Sequence, residues 1–275
     1  MTAPRDPTPR APAPAATARA MILAAGRGSR LRPLTDRTPK PLVEIAGHPL
    51  IAYGLGLLRS EGVRDVVVNL HHLGERVVAA LGDGARFGVR IHYSLESTLL
   101  DTGGGIRHAA PLLDEIGRAT GDTGGPIVIL NSDVVCEIPV RDVVAFHRAR
   151  RALVTLVLRD DPRAAEYGVF GIDRDGRIRR FLGAGDPDPA LRELMFASLQ
   201  VIEPSVIERM PEGRPFGTMR DLYPALFAAG EPFYGYVYPG RWFTADTAAD
   251  VERAGDALRR DGLPAYMRDL AEPPG

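Results

Sequence analysis

The chain has 275 residues, enough for one large core, and 34 lysines and arginines against 35 acidic residues leave a net charge of -1. That balance excludes the strongly basic profile of a nucleic-acid or polyanion binder. The single cysteine, Cys136, rules out an internal disulfide and fits a reducing compartment.

Residues 1–18 are rich in proline and alanine and lack the apolar stretch of a secretory signal. They read as a disordered tail, because they cannot bury enough surface to offset the entropy of ordering. No apolar run reaches the length of a membrane span, so no membrane role and a cytoplasmic location are expected. The expected domain is a single one over 19–265, with a nucleotide-binding half (19–150), an acceptor half (151–265) and a C-terminal tail from 266.

A short apolar run, Ala20 to Ala25, reads as a buried strand. It breaks into Gly26-Arg27-Gly28-Ser29-Arg30, where two glycines allow a tight turn and close approach of backbone N–H groups to a phosphate. The dinucleotide fingerprint GxGxxG is not met, since Arg stands at the third glycine, and no Walker Gly-Lys-Ser/Thr follows. Lys40, between two prolines expected to hold its backbone extended, is the only lysine in the chain. A compact ammonium and a planar guanidinium solve different problems at a phosphate, so this one position reads as chemically chosen.

Downstream, Pro49–Glu61, Leu73–Leu81 and Gly104–Leu113 read as helices, alternating with strands at Val63–Asn69, Val89–Tyr93 and Pro126–Leu130. This alternation predicts an α/β fold, a Rossmann-like and mostly parallel sheet with helices on both faces. Ligands in such sheets bind at the carboxyl ends of strands, where the loops at Gly26 and Asn131 fall. A helix over Val140–Arg150 follows. The pattern then turns strand-rich at Leu153–Leu158, Tyr167–Ile172, Arg177–Phe181 and Met195–Ile202. A helix over Gly217–Ala229, a strand over Phe233–Tyr238 and a helix over Thr247–Arg260 complete the reading.

The run LAAGRGSRLRPLTDRTPKPL resembles the signature of the sugar-1-phosphate nucleotidyltransferases, G-x-G-[ST]-R-L-x-P-L-T ending in P-K-P. The resemblance implies the nucleotide-diphospho-sugar transferase fold. It also implies a loop of Leu23, Ala24, Ala25, Gly26, Gly28 and Ser29 around a nucleoside triphosphate, with Arg30 and Lys40 as catalytic phosphate-neutralising groups. LNSDVVCEIP resembles the LNSDV-x-C run of mannose-1-phosphate guanylyltransferases and makes Asp133 a catalytic magnesium ligand. Asp101-Thr102-Gly103-Gly104-Gly105 opens a predicted helix, and its N–H groups are expected to meet the nucleotide, with Thr102, Gly103 and Gly104 in contact. The acidic first residue is closer to N-acetylmuramate-1-phosphate uridylyltransferases.

The likeness weakens further on. Gly168 of Tyr-Gly-Val is implied at the sugar, but Phe181-Leu182-Gly183-Ala184-Gly185 replaces the pattern F-x-E-K-P, and Ser198 stands where the family has a sugar-contacting glycine. Trp242-Phe243-Thr244-Ala245-Asp246-Thr247 puts Thr244 at the position of the family's metal-binding aspartate. Asp246 is expected either to reach the metal from two residues further on or to cap the next helix. The implied reaction moves NMP from an NTP to a sugar 1-phosphate, with magnesium, leaning to mannose and guanine. N-acetylmuramate-1-phosphate uridylyltransferase-like and phosphocholine cytidylyltransferase-like activities, or a nucleotide-sugar-binding protein without turnover, are the alternatives. A homodimer is compatible with all of them.

Overall fold

A computed structural model describes residues 19–185, 187–268 and 270. The expected tail over 1–18 and the last five positions lie outside the described residues.

The chain opens with β1 (Ala20–Leu23), the small hairpin β2 (Glu44–Ile45) and β3 (His48–Pro49), and α1 (Leu50–Ser60). Then come β4 (Asp65–Leu70), α2 (Gly74–Leu81), β5 (Arg90–Leu95), α3 (Asp101–Thr120), β6 (Ile127–Asn131), β7 (Val134–Cys136) and α4 (Val140–Ala149). The second half holds β8 (Val154–Arg159), α5 (Ala164–Tyr167), β9 (Val169–Ile172), β10 (Ile178–Phe181), β11 (Ala184–Gly185) and β12 (Arg192–Ile202). It ends with α6 (Pro204–Glu208), α7 (Tyr223–Ala228), β13 (Phe233–Val237), β14 (Trp242–Thr244) and α8 (Ala248–Asp261).

One ten-stranded sheet runs through both halves, in the order β11-β10-β9-β12-β6-β1-β4-β5, with β8 pairing to β12 and β13 to β8. β1 pairs in parallel with β4 and β6, so three strand ends open on the same side. The long β12 runs antiparallel to β6 and to β8, joining the second half of the chain to the first without a break.

Alternation along β1 explains why both faces need cover. Ala20 and Ile22 belong to a core with α1, α2, α4 and α8, whereas Met21 belongs to a second core with α3, α6 and α7. The expected α/β architecture is thus met, and several boundaries move. The helix expected from Gly104 to Leu113 spans Asp101–Thr120 and carries Pro111 inside it. The strand expected from Tyr167 begins at Val169, because Gly168 at φ 89° breaks the chain after the short α5. The helix expected over Gly217–Ala229 divides into a π-helical turn, Thr218–Leu222, and α7.

The start of the expected tail is also corrected. Tyr266, Met267 and Leu270 are buried beside α1, where Gly56 leaves room for them, and the Tyr266 hydroxyl donates to the Cys136 carbonyl at 2.7 Å.

Candidate active site

The phosphate-loop candidate leaves β1 at the middle of the sheet. Its first amide, Ala24 N, donates to Asn69 Oδ1 at 2.9 Å at the end of β4, and Ser132 N donates to the Leu23 carbonyl at 3.0 Å from the end of β6. Gly28 sits at φ 62°, a region that favours glycine, and a Cβ there would come within 2.9 Å of Thr35 and 3.0 Å of the Lys40 Cβ. The turn therefore closes directly over the root of the Lys40 side chain. Lys40 itself opens a 3-10 turn, with Leu42 N bonded to the Pro39 carbonyl, so the extended backbone expected between the prolines is not what forms. The bias imposed by Pro41 is a preference, and this hydrogen bond overrides it.

Asp133 lies in the turn between β6 and β7. The antiparallel pairing of β14 with β7 sets Thr244 against Val134, and Ala245 N donates to the Asp133 carbonyl at 2.9 Å. That register delivers Asp246 beside Asp133. Lys40 Nζ lies 2.8 Å from Asp133 Oδ2 and 2.9 Å from Asp246 Oδ1, and Arg30 Nη2 is also 2.9 Å from Asp246 Oδ1. Burial opposes the Lys40 ammonium, but the Asp133 and Asp246 carboxylates outweigh it and hold its pKa above the ordinary lysine value. Asp246 does not cap α8. Thr247 does, in a reciprocal capping box with Asp250.

A cavity of about 560 Å³ gathers these groups. Leu23, Ala24, Ala25, Gly26, Gly28, Ser29 and Thr102 line it, together with Arg30, Lys40, Asp133 and Asp246. A Cβ at Gly26 would meet nothing within 4 Å, so the loop presents bare backbone to open space. Gly103 and Gly104 do not line the cavity, and their amides are not free. Both donate to the Phe216 carbonyl, at 3.0 and 3.2 Å, and a Cβ on Gly103 would overlap the Phe216 ring. These glycines serve close packing, which corrects their expected role as amide donors to the nucleotide.

Gly168 and Ser198 are likewise outside the lining. Both have positive φ, 89° and 67°, and Ser198 lies where the pairing of β12 with β8 shifts register. Tyr167, which precedes Gly168, is not among the residues lining the cavity. Burial raises its hydroxyl pKa, Arg163 counters that, and the charges of Asp246 and Arg30 also reach it.

Asn69 and Glu96 were not singled out from the sequence. Asn69 Nδ2 donates to Glu96 Oε1 at 2.7 Å and Leu100 N donates to Glu96 Oε2 at 2.9 Å, so this pair ties β4, the start of α3 and the phosphate loop together. The available signal was a polar residue closing the apolar run Val66-Val67-Val68 at a carboxyl strand end. Asp101, at φ 63°, accepts from Arg220 Nη2 at 3.1 Å on the cavity rim.

Among the described residues no group of three or more His, Cys, Asp and Glu side chains that could hold a metal ion comes together. Asp133 Oδ2 and Asp246 Oδ1 nevertheless lie 2.8 and 2.9 Å from the same ammonium. Such an oxygen-only set suits magnesium, which takes one or two carboxylates and completes its shell with phosphate and water.

Fold and site together define a nucleotide-binding α/β protein whose phosphate loop, lone lysine and paired carboxylates converge at the carboxyl ends of parallel strands. The chain belongs to the nucleotidyl transferase family, whose model matches residues 19–245. It is 34% identical over 249 residues to a mannose-1-phosphate guanylyltransferase of Mycobacterium tuberculosis, covering 90% of this chain and 66% of that one. It is 34% identical over 246 residues to an N-acetylmuramate alpha-1-phosphate uridylyltransferase of Neisseria meningitidis, covering 86% of this chain and 96% of that one. The crystal structure of HddC from Yersinia pseudotuberculosis superposes with a TM-score of 0.72 at 19% identity, covering 88% of this chain and all of that one, and shares the fold. The chain spans less than two thirds of the length of several of its curated relatives. None of the described helices is long and apolar enough to cross a membrane.

Proposed function

We propose that the protein transfers a nucleoside monophosphate from an NTP to a sugar 1-phosphate, with GTP and mannose 1-phosphate as the favoured pair. The observation that carries the reading is the convergence of Arg30, Lys40, Asp133 and Asp246 on one cavity beside the bare backbone at Gly26. The relative named as a mannose-1-phosphate guanylyltransferase supports that choice of pair.

In this reading an oxygen of the acceptor phosphate attacks the α-phosphorus in line. A new P–O bond forms, the bond to the bridging oxygen of pyrophosphate breaks, and the electron pair leaves with pyrophosphate. Both reactants are anions, so the protein's task is positioning and charge neutralisation. The Gly26–Ser29 backbone seats the phosphates, Lys40 clamps them, and the largely exposed Arg30 guanidinium meets charge on the leaving group. Asp133 and Asp246 would hold magnesium, which supplies Lewis-acid withdrawal of charge at phosphate oxygens.

The loss of the family's aspartate at Thr244 favours a protein without turnover only if nothing replaces it, and Asp246 bonded to Lys40 supplies the second carboxylate. The test is pyrophosphate release with magnesium, each of GTP, UTP, CTP and dTTP, and a panel of sugar 1-phosphates plus phosphocholine. GTP with mannose 1-phosphate is expected to be fastest, and Lys40→Ala to cut that rate by about 100-fold or more. Nucleotide binding without release from any pair refutes the transferase reading.

A further inference from the structure

The bonds of Lys40 contain more than a phosphate clamp at rest. Its ammonium contacts Asp133 Oδ2 and Asp246 Oδ1 at once, and its side chain is only 12% exposed, against 24% and 8% for the two carboxylates. It thus stands between the two oxygens that a divalent ion would need. The stem is held at its root, where Gly28 packs against it: a Cβ added to Gly28 would lie 3.0 Å from the Lys40 Cβ. Beyond that root a flexible four-carbon stem carries the ammonium.

We propose that Lys40 is an exchangeable occupant of the metal position: its ammonium keeps the Asp133–Asp246 pair closed to a divalent cation until a triphosphate draws it away. The proposal rests on the nucleotidyl-transfer reading and deepens it, because it sets how metal and nucleotide depend on each other.

The charges explain the dependence. Arg30 and Lys40 balance Asp133 and Asp246. A divalent cation entering alone must displace the ammonium from both carboxylates, and two like charges then sit side by side. A triphosphate entering alone brings its oxygens up to two carboxylates. When both arrive, the ammonium moves onto phosphate, the cation takes the carboxylates, and every charge has an opposite neighbour. Metal and nucleotide must therefore bind with positive coupling, each raising the affinity for the other by the same factor. A compact ammonium on a flexible stem suits such an exchange better than a planar guanidinium fork. The chain keeps one lysine among 34 basic residues, and it is here.

The first test uses manganese alone as the probe, with free ion counted by electron paramagnetic resonance, on the full chain without nucleotide or acceptor. Lys40→Met and Lys40→Gln are expected to bind manganese roughly tenfold or more tightly than wild type, because the competitor is gone. Folded variants that bind it no more tightly than wild type overturn the exchange, since a lysine that only braces the loop predicts no gain. The second test needs no variant. Lysine labelled with carbon-13 gives a single side-chain Cε resonance from this chain, expected to move when magnesium and GTP are added together and to stay in place with magnesium alone. A resonance unmoved by the two together overturns the proposal. Pyrophosphate release from wild type reports separately on the transfer reading: release with no gain in manganese affinity ends the exchange and keeps the transferase, and the reverse pattern keeps the exchange and ends the transferase.

Discussion

Asp246 is the residue on which two expectations divided, and its neighbours exclude the capping one. The capping role belongs to Thr247, whose hydroxyl accepts from Asp250 N at 3.2 Å, while Asp246 is buried and bonded to Lys40 and Arg30. Asp246→Asn keeps the shape and removes the charge, so it should raise the magnesium concentration needed for half-maximal pyrophosphate release by roughly 10–100-fold. Thr247→Ala should instead cost about 1 kcal/mol of stability and leave the metal requirement in place. An unchanged magnesium curve for Asp246→Asn would remove this carboxylate from the metal site. At this scale the sequence was legible wherever function compresses into a short run, as in Gly26 to Lys40. It was not legible for Asn69 and Glu96, whose hydrogen bond joins the ends of different strands and leaves no local spacing to read.

At the scale of the element, the start of α3 shows how a correct motif can carry a mistaken mechanism. Three glycines at a helix N-terminus read as free amide donors, yet two of them are spent on the Phe216 carbonyl, and Phe216 N returns a bond to Leu100 at 3.1 Å. The glycines are there because the segment around Phe216 packs flat against them, a demand from a distant part of the chain that no local pattern displays. Gly103→Ala places a methyl group into the buried Phe216 ring. We expect a loss of about 1–3 kcal/mol from overpacking, with a raised KM for the nucleotide because the Asp101–Thr102 rim is displaced with it. Gly124→Ala, where a Cβ meets nothing within 4 Å, is the control and should leave both unchanged. A Gly103→Ala protein with wild-type melting temperature and KM would show that this contact does not position the rim.

For the whole molecule, the α/β architecture followed from periodicity, but periodicity could not say how the chain closes on itself. The sequence reading places a C-terminal tail from 266. Instead it covers the outer side of α1: Tyr266, Met267 and Leu270 are 8%, 2% and 8% exposed, and Arg59 Nη2 donates to the Tyr266 carbonyl at 2.9 Å. A Cβ on Gly56 would lie 3.0 Å from Tyr266 and 3.4 Å from Met267, so α1 has a groove at that glycine and the segment fills it. Burying each such side chain contributes about 1.5–3 kcal/mol, an upper estimate for a chain whose unfolded state is already partly collapsed. Truncation after Gly262 should then cost about 4 kcal/mol or more, a large share of the roughly 5–15 kcal/mol that stabilises a typical domain. The measurement is the urea midpoint of the truncated chain against the full one, with Met267→Ala as a single-residue variant expected to lose about 2–5 kcal/mol. Because α1 also packs against β7, which leads out of the Asp133 turn, the truncated protein should lose pyrophosphate release at a lower temperature than the full chain. An unchanged midpoint would mean that this segment lies on the core without supporting it.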